Sequence, residues 1–264
     1  MGLEDSHARV ISNKQLFGSL YLMELACPSV AANIMPGQFV HMEIPDLQAS
    51  VLRRPFSIFD RDEDAGVVEI LYQVVGAGTR AMSAWEPGMR CRMIGCVGRT
   101  WEAPFDTKRA LLVGGGVGAA PLNLFCQELI DNDVDVDVIL GAQTEGALVC
   151  RKRYQDACGK EPLCSTDDGS FGREGFATVL IEEALAEAER SGEPYDFAAV
   201  CGPEPLMRAA STMLLEAGVR CQVSMERRMA CGVGACLSCV VETTEGRKRA
   251  CVDGPIFDAE VIVW

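Results

Sequence analysis

Four cysteines near the end of the chain carry the clearest chemistry. The run Met229-Ala-Cys231-Gly-Val-Gly-Ala-Cys236-Leu-Ser-Cys239, followed by Cys251, spaces its thiols as C-x4-C-x2-C-x11-C. Three thiolates on one tight loop, with a fourth arriving from outside, is the plant-type ligand pattern of a 2Fe-2S cluster. Gly232 and Gly234 suit that loop, because a residue without Cβ takes positive φ and lets backbone amides approach anionic sulfur. A structural zinc ion also takes four thiolates, but usually from two separate C-x2-4-C knuckles, and this segment forms only one, because its two short spacings share Cys236. The 13 cysteines are a high, odd count for a cytosolic chain, where disulfides rarely persist. Dispersed ones such as Cys27, Cys126, Cys150 and Cys158 are expected to behave as small buried hydrophobes.

Three further segments are weaker signals. In Leu52-Arg-Arg54-Pro55-Phe56-Ser57-Ile58 an extended chain projects a guanidinium and a hydroxyl, suited to a pyrophosphate and a flavin ring; the bland alternative is a surface turn. Gly114-Gly115-Gly116-Val-Gly118-Ala-Ala-Pro121 follows a predicted strand and opens a helix predicted over residues 121–131, the context of a dinucleotide loop. Its spacing matches only the looser form of G-x-G-x-x-G, and a tight strand-to-helix connection explains it as well. Cys201-Gly202-Pro203 forms a second strand-to-helix junction, where a thiol and a glycine would face the meeting point of nicotinamide and flavin.

The elements that position these segments fall into three stretches. Residues 1–106 carry short apolar or alternating runs around Phe39 and Ile70, cut by Pro36-Gly37, Asp64-Ala-Gly66 and Pro87-Gly88, which predicts an antiparallel β-barrel. Residues 107–220 alternate strands with helices, including helical spacing over 177–190 and 204–217. That predicts a doubly wound parallel-sheet nucleotide-binding domain. Residues 221–264 are short and rich in Cys and Gly, and need a staple that a metal centre would supply.

Composition excludes several classes. A net charge of −14 with no basic stripe argues against nucleic acid. The first residues lack an apolar leader, and the longest uncharged run is broken by glycines and a proline, so a cytoplasmic chain without a membrane span is expected. Gly141-Ala-Gln-Thr144 offers no arginine beside it for a 2′-phosphate, which favours NAD over NADP, although Arg151 to Arg153 are near enough in sequence to swing in.

In this order the motifs resemble the ferredoxin-NADP reductase superfamily and, more narrowly, the electron-transfer subunits of class 1B dihydroorotate dehydrogenases. The resemblance covers essentially the whole chain and is strongest from Glu226 to Cys239 and from Ala250 to Glu260. It implies that Arg54, Pro55, Phe56 and Ser57 bind FAD together with Leu71, Tyr72, Gln73, Gly78 and Thr79. It implies that Gly114, Gly115, Gly116 and Gly118, in the segment reaching Pro121, lie at the nicotinamide nucleotide. It also implies that Cys231, Cys236, Cys239 and Cys251 hold the cluster. Two departures stand out: Gly95-Cys-Val-Gly98 replaces the usual Gly-Pro-x-Gly turn, and Gln73 stands where relatives often have Arg.

The resemblance further implies a partner, an FMN-containing dihydroorotate dehydrogenase catalytic subunit, in a heterotetramer of two subunits each. The only histidines, His7 and His41, lie in no motif, so the chain offers no obvious general base for substrate chemistry. Electrons would pass from that FMN through the cluster and FAD to NAD+ in pyrimidine biosynthesis, with cofactors supplying the chemistry. Alternatives are a related subunit of an electron-bifurcating transhydrogenase or cytosolic hydrogenase, and a zinc-stabilised interaction protein.

Overall fold

The computed structural model describes residues 4–45 and 52–264. In chain order, the first part comprises β1 (Glu4–Phe17), β2 (Leu20–Ala26), α1 (Pro28–Ala31), β3 (Phe39–Met42), β4 (Arg54–Ser57), β5 (Asp60–Asp62), β6 (Val67–Gln73), α2 (Ala77–Met82) and β7 (Arg90–Val97). All its strand pairs are antiparallel, in the order β4-β3-β7-β1-β2-β6-β5. One face buries Val10, Met23, Leu25, Val40, Met42, Val68, Ile70 and Met93. This is the inward half of an alternating pattern. The sheet curls into a half-barrel: Phe56 of β4 meets Tyr72 of β6 edge-to-face at 6.3 Å, and Tyr72 stacks on Tyr21 at 5.5 Å.

The second part continues with β8 (Arg109–Gly115), α3 (Asn123–Asp131), β9 (Asp135–Ala142), α4 (Arg151–Cys158), β10 (Leu163–Thr166), β11 (Arg173–Glu174), α5 (Ala177–Ser191), β12 (Phe197–Cys201), α6 (Glu204–Glu216) and β13 (Arg220–Ser224). Its sheet is ordered β11-β10-β9-β8-β12-β13 and is parallel throughout. Successive residues point to opposite faces. Ala110, Leu112, Phe197 and Ala199 pack with Phe125 and Leu129 of α3 and Tyr154 of α4. Leu111, Val113, Ala198 and Val200 pack with Ile181 of α5 and Leu214 of α6. Burial on both faces explains why these strands read as unbroken apolar runs. The helix expected over 121–131 begins at Asn123, because Gly116–Leu122 wind as a tighter 3₁₀ segment that holds Pro121.

The last stretch adds the hairpin β14 (Val240–Thr243) and β15 (Gly246–Arg249), then β16 (Ile256–Asp258). β16 joins β13 antiparallel, closing the edge of the second sheet. The segment before it also meets the half-barrel, since the Arg99 amide donates to the Gly254 carbonyl at 2.6 Å.

Contacts between the two sheets are specific. Trp101 Nε1 donates to the Pro121 carbonyl at 3.2 Å, and Asn123 Nδ2 to the Phe59 carbonyl at 3.0 Å. Arg153 on α4 pairs with Asp60 and with Glu69 at 2.8 Å. That engagement corrects the expectation that Arg151 to Arg153 could swing toward a 2′-phosphate. Arg151 pairs with Glu161 at 3.1 Å and lies over the Phe171 ring, Lys152 pairs with Asp156, and Arg153 braces the half-barrel. Among the described residues no helix is long and apolar enough to cross a membrane.

Candidate functional site

The cysteine loop is built by close approach. Gly232 and Gly234 have φ of +69° and +82°. A Cβ on Gly234 would stand 2.7 Å from Val252 Cγ2, so the bare backbone is what lets the loop lie against the Cys251 segment. Arg249 fastens that contact: its Nε donates to Asp253 at 3.0 Å and its Nη1 to the Gly234 carbonyl at 3.3 Å. The β14–β15 hairpin returns the chain so that the Ala250 amide donates to the Cys239 carbonyl at 2.8 Å.

The Cys231 thiol interacts with Cys236, and the Cys251 thiol with Cys239 and, electrostatically, with Cys231. Among the described residues no three His, Cys, Asp or Glu groups converge on a point suited to one metal ion. Four thiols on one loop and the segment facing it are the donor set a 2Fe-2S cluster takes. The loop amides fit an anionic group. The Val233 amide donates to Cys231 Sγ at 3.4 Å, and with the amides of Ala235 and Cys236 it pulls the Cys231 thiol down to about 6. Burial, reinforced by Cys239, pushes the Cys251 thiol up to about 12.

The glycine-rich segment works by contact too. Gly114 and Gly115 end β8, where Gly114 pairs with Cys201 of β12. A Cβ on Gly114 would lie 2.7 Å from Ala119, one on Gly115 would lie 2.6 Å from Leu206, and one on Gly118 would lie 2.6 Å from Gly202 Cα. The segments 114–118 and 201–202 are thus one interlocked unit at the C-terminal ends of β8 and β12. Gly116 has φ +56° and opens instead onto a small cleft lined by Gly114, Gly141, Leu148 and Cys150. The cleft is small, but its bare backbone lies at the edge of the parallel sheet where nucleotide phosphates bind. The Cys201 thiol is buried and pushed up by that burial.

The flavin-side segments come together on the half-barrel. Arg54 Nη1 donates to the carbonyls of Leu52 at 2.6 Å and Arg53 at 3.2 Å, and Arg54, Pro55, Phe56 and Ser57 are all partly buried. Leu71 and Tyr72 are buried, the latter donating its hydroxyl to Asn13 Oδ1 at 3.0 Å, so both can reach a ligand chiefly through backbone. Gln73 is exposed and donates to Ser19 Oγ at 3.1 Å. The Thr79 hydroxyl accepts the amides of Val75 and Gly76 at 2.9 and 3.2 Å, which shapes the turn into α2 around buried Gly78. A guanidinium, two hydroxyls and a turn of open backbone are a donor set that fits a flavin dinucleotide.

Sequence reasoning missed the residue that joins two of these regions. His41 lies on β3 opposite Pro55 and is fully buried (0% exposed), with neither ring nitrogen in a well-formed hydrogen bond. Its ring interacts with the backbone of Arg53 and of Cys231. Its Nδ1 would stand 2.6 Å from a Cβ on Gly232. The imidazole thus lies between the strand next to Arg54 and the cysteine loop. A lone histidine in an apolar run carries no motif, so only the fold reveals it.

Comparison with known proteins agrees with this arrangement. Residues 226–263 match the iron-sulfur cluster binding domain of dihydroorotate dehydrogenase B, and residues 112–212 match the oxidoreductase NAD-binding domain. A structure on flavin-based electron bifurcation, the NADH-dependent reduced ferredoxin-NADP oxidoreductase, superposes with a TM-score of 0.86 at 27% identity, covering 97% of this chain and 89% of that one. A ferredoxin reductase in carbazole 1,9a-dioxygenase shares the fold at 24% identity and a TM-score of 0.68, over 83% of this chain and 67% of its own. Fold and site define a ferredoxin-reductase-like flavin oxidoreductase that uses FAD, a 2Fe-2S cluster and NAD. Dihydroorotate dehydrogenase B (NAD(+)) electron transfer subunits are similar over nearly full length. That of Desulforamulus reducens is 38% identical over 97% of both chains, and that of Caldanaerobacter subterraneus subsp. tengcongensis 34% identical over 97% of this chain and 98% of its own. The chain belongs to this family.

Proposed function

We propose that the chain relays electrons between a catalytic dihydroorotate dehydrogenase subunit carrying FMN and NAD+, in a heterotetramer of two subunits each in the cytoplasm. The observation that carries this reading is the placement of His41, which packs the cysteine loop against the strand that holds Arg54 to Ser57. When bound, the cofactors supply hydride exchange at the flavin and single-electron transfer at the cluster.

In this reading Cys231, Cys236, Cys239 and Cys251 would hold the cluster. The Val233, Ala235 and Cys236 amides stabilise the negative sulfurs, while Arg249 holds the loop against Asp253. Arg54 and the turn at Gly78 and Thr79 hold the FAD phosphates. Ser57 would hydrogen-bond the flavin ring, which the backbone of Leu71, Tyr72 and Gln73 would border. Gly114, Gly115, Gly116 and Gly118 leave backbone free for the NAD pyrophosphate, and Cys201 with Gly202 borders the nicotinamide. We assign residues 1–106, 107–220 and 221–264 to the FAD, NAD and cluster domains.

Exposed apolar residues support docking of a partner over the cluster. Val233, Leu237 and Val252 are all exposed, and Leu237, beside Cys236, is 63% exposed with φ +57°. Apolar side chains grouped around a redox loop suit a protein interface. Copurification with the catalytic subunit, assayed for dihydroorotate-dependent NAD+ reduction, tests the proposal. Activity is expected from the complex, while the isolated chain should oxidise NADH with dye acceptors and leave dihydroorotate untouched. Dihydroorotate oxidation by the chain alone would overturn it.

A further inference from the structure

Cys126 and Cys158 depart from the expectation of inert core thiols. Their sulfurs lie 3.5 Å apart, joining α3 to the last residue of α4. Cys126 is fully buried. Cys158 is only half-buried and lines a cavity of about 530 Å³ at the N-terminal edge of the parallel strands, with Lys160, Asp137 and Tyr195. A small oxidant entering that cavity reaches Cys158 first and Cys126 only behind it.

The electrostatics separate Cys158 from the other thiols outside the cluster segment. Burial raises Cys27, Cys91, Cys96, Cys150, Cys164, Cys201 and Cys221. Cys158 alone is lowered, first by its hydrogen bond with the Cys126 thiol and then by the Lys160 ammonium. Burial, and then Asp137 and Asp135, oppose that effect, and both carboxylates hold Lys160 at 2.8 Å. The thiolate is the nucleophile, so a lowered, reachable thiol beside a second thiol is the arrangement of a reactive pair.

We propose that Cys158 is an oxidation site for hydroperoxides and that Cys126 is its resolving thiol, the pair closing to a disulfide between α3 and α4. The Cys158 thiolate attacks one peroxide oxygen, the O–O bond breaks, and hydroxide (or alkoxide) leaves; sulfur is oxidised to a sulfenic acid and the peroxide is reduced. The Cys126 sulfur then attacks the Cys158 sulfur, an S–S bond forms, and the S–O bond breaks. The departing hydroxide takes the Cys126 proton as water. Nothing in the electron relay uses either residue. The reaction adds a peroxide-sensing modification to the nucleotide-binding part of the molecule.

Peptide mapping without reductant tests this on the cofactor-loaded protein. The protein is treated with equimolar hydrogen peroxide, free thiols are blocked with iodoacetamide, and peptides are compared before and after dithiothreitol. A Cys126–Cys158 linked pair, about 2 Da lighter than its two thiol peptides together and released by dithiothreitol, is expected. In a Cys126→Ala variant the sulfenic acid should persist and be trapped on Cys158 by dimedone. The proposal is overturned if Cys158 stays open to iodoacetamide while other thiols outside the cluster segment oxidise. It is equally overturned if Cys158 oxidises in the unsubstituted protein without linking to Cys126. The unsubstituted protein decides the matter even if the variant fails to fold.

Discussion

The Nδ1 atom of His41 and the α-carbon face of Gly232 are packed so closely that a methyl group on Gly232 would stand 2.6 Å from the nitrogen. His41 belongs to the half-barrel and Gly232 to the cysteine loop, so this contact fixes one relative to the other. Burial, then the charges of Arg53 and Arg54, holds the imidazole below its usual value, which keeps it neutral. A Gly232→Ala substitution adds that clash to a left-handed backbone conformation costing about 1–2 kcal/mol for a residue with a Cβ. The purified variant should lose iron while retaining FAD, as measured by metal analysis and the visible circular dichroism of the cluster. The double variant with His41→Ala should regain part of the iron, because the steric partner is gone. Full iron with an unaltered spectrum in the single variant would show that the contact constrains nothing.

Gly118 presents a different case, since its backbone is unremarkable and only space is short. A Cβ there would collide with Gly202 Cα at 2.6 Å, and backbone yields less readily than a side-chain tip. Gly118→Ala should weaken NADH binding roughly tenfold or more, about 1.4 kcal/mol, by parting the two nucleotide-side turns. Isothermal titration against NADH reads this, with FAD and iron content as internal controls. Unchanged affinity would remove the segment 114–118 from the nucleotide site.

The cluster-free chain should show graded thiol reactivity. Loop amides pull Cys231 down to about 6, whereas burial pushes Cys251 up to about 12. Alkylation of Cys231 should therefore rise through pH of about 6 and level off above it, while Cys251 stays slow up to pH of about 9. The sign for stability follows. A thiol depressed in the folded chain stabilises that fold fully above its unfolded value near 9.0, and the contribution is lost as pH falls through about 6. Mass-spectrometric alkylation rates at each site check the order, and equal rates at neutral pH would contradict it.

Much of this architecture is legible in the residues. The unbroken run Ala110-Leu-Leu-Val113 announces a strand buried on both faces, and the C-x4-C-x2-C spacing announces a loop around iron. Less visible are relations that depend on distant segments meeting. Gly114 and Gly118 read as a phosphate loop, but what they touch is Ala119 and Gly202, a partnership set by the pairing of β8 with β12. His41 has no local pattern, because its role arises from a loop about 190 residues further on. Arg153 looked free for a ligand, and the fold commits it to Asp60 and Glu69. Cys158 looked inert until α3 and α4 brought Cys126 beside it.

The central claim is that the cysteine loop is the path by which electrons pass between the partner and the flavin. A Cys236→Ala variant, copurified with the catalytic subunit to verify assembly, tests it by stopped-flow. NADH-driven bleaching of FAD should proceed at close to the normal rate, and dihydroorotate-dependent NAD+ reduction should be lost. If that overall reaction continued at its usual rate in the assembled variant, the loop would be a structural element and the relay would run elsewhere.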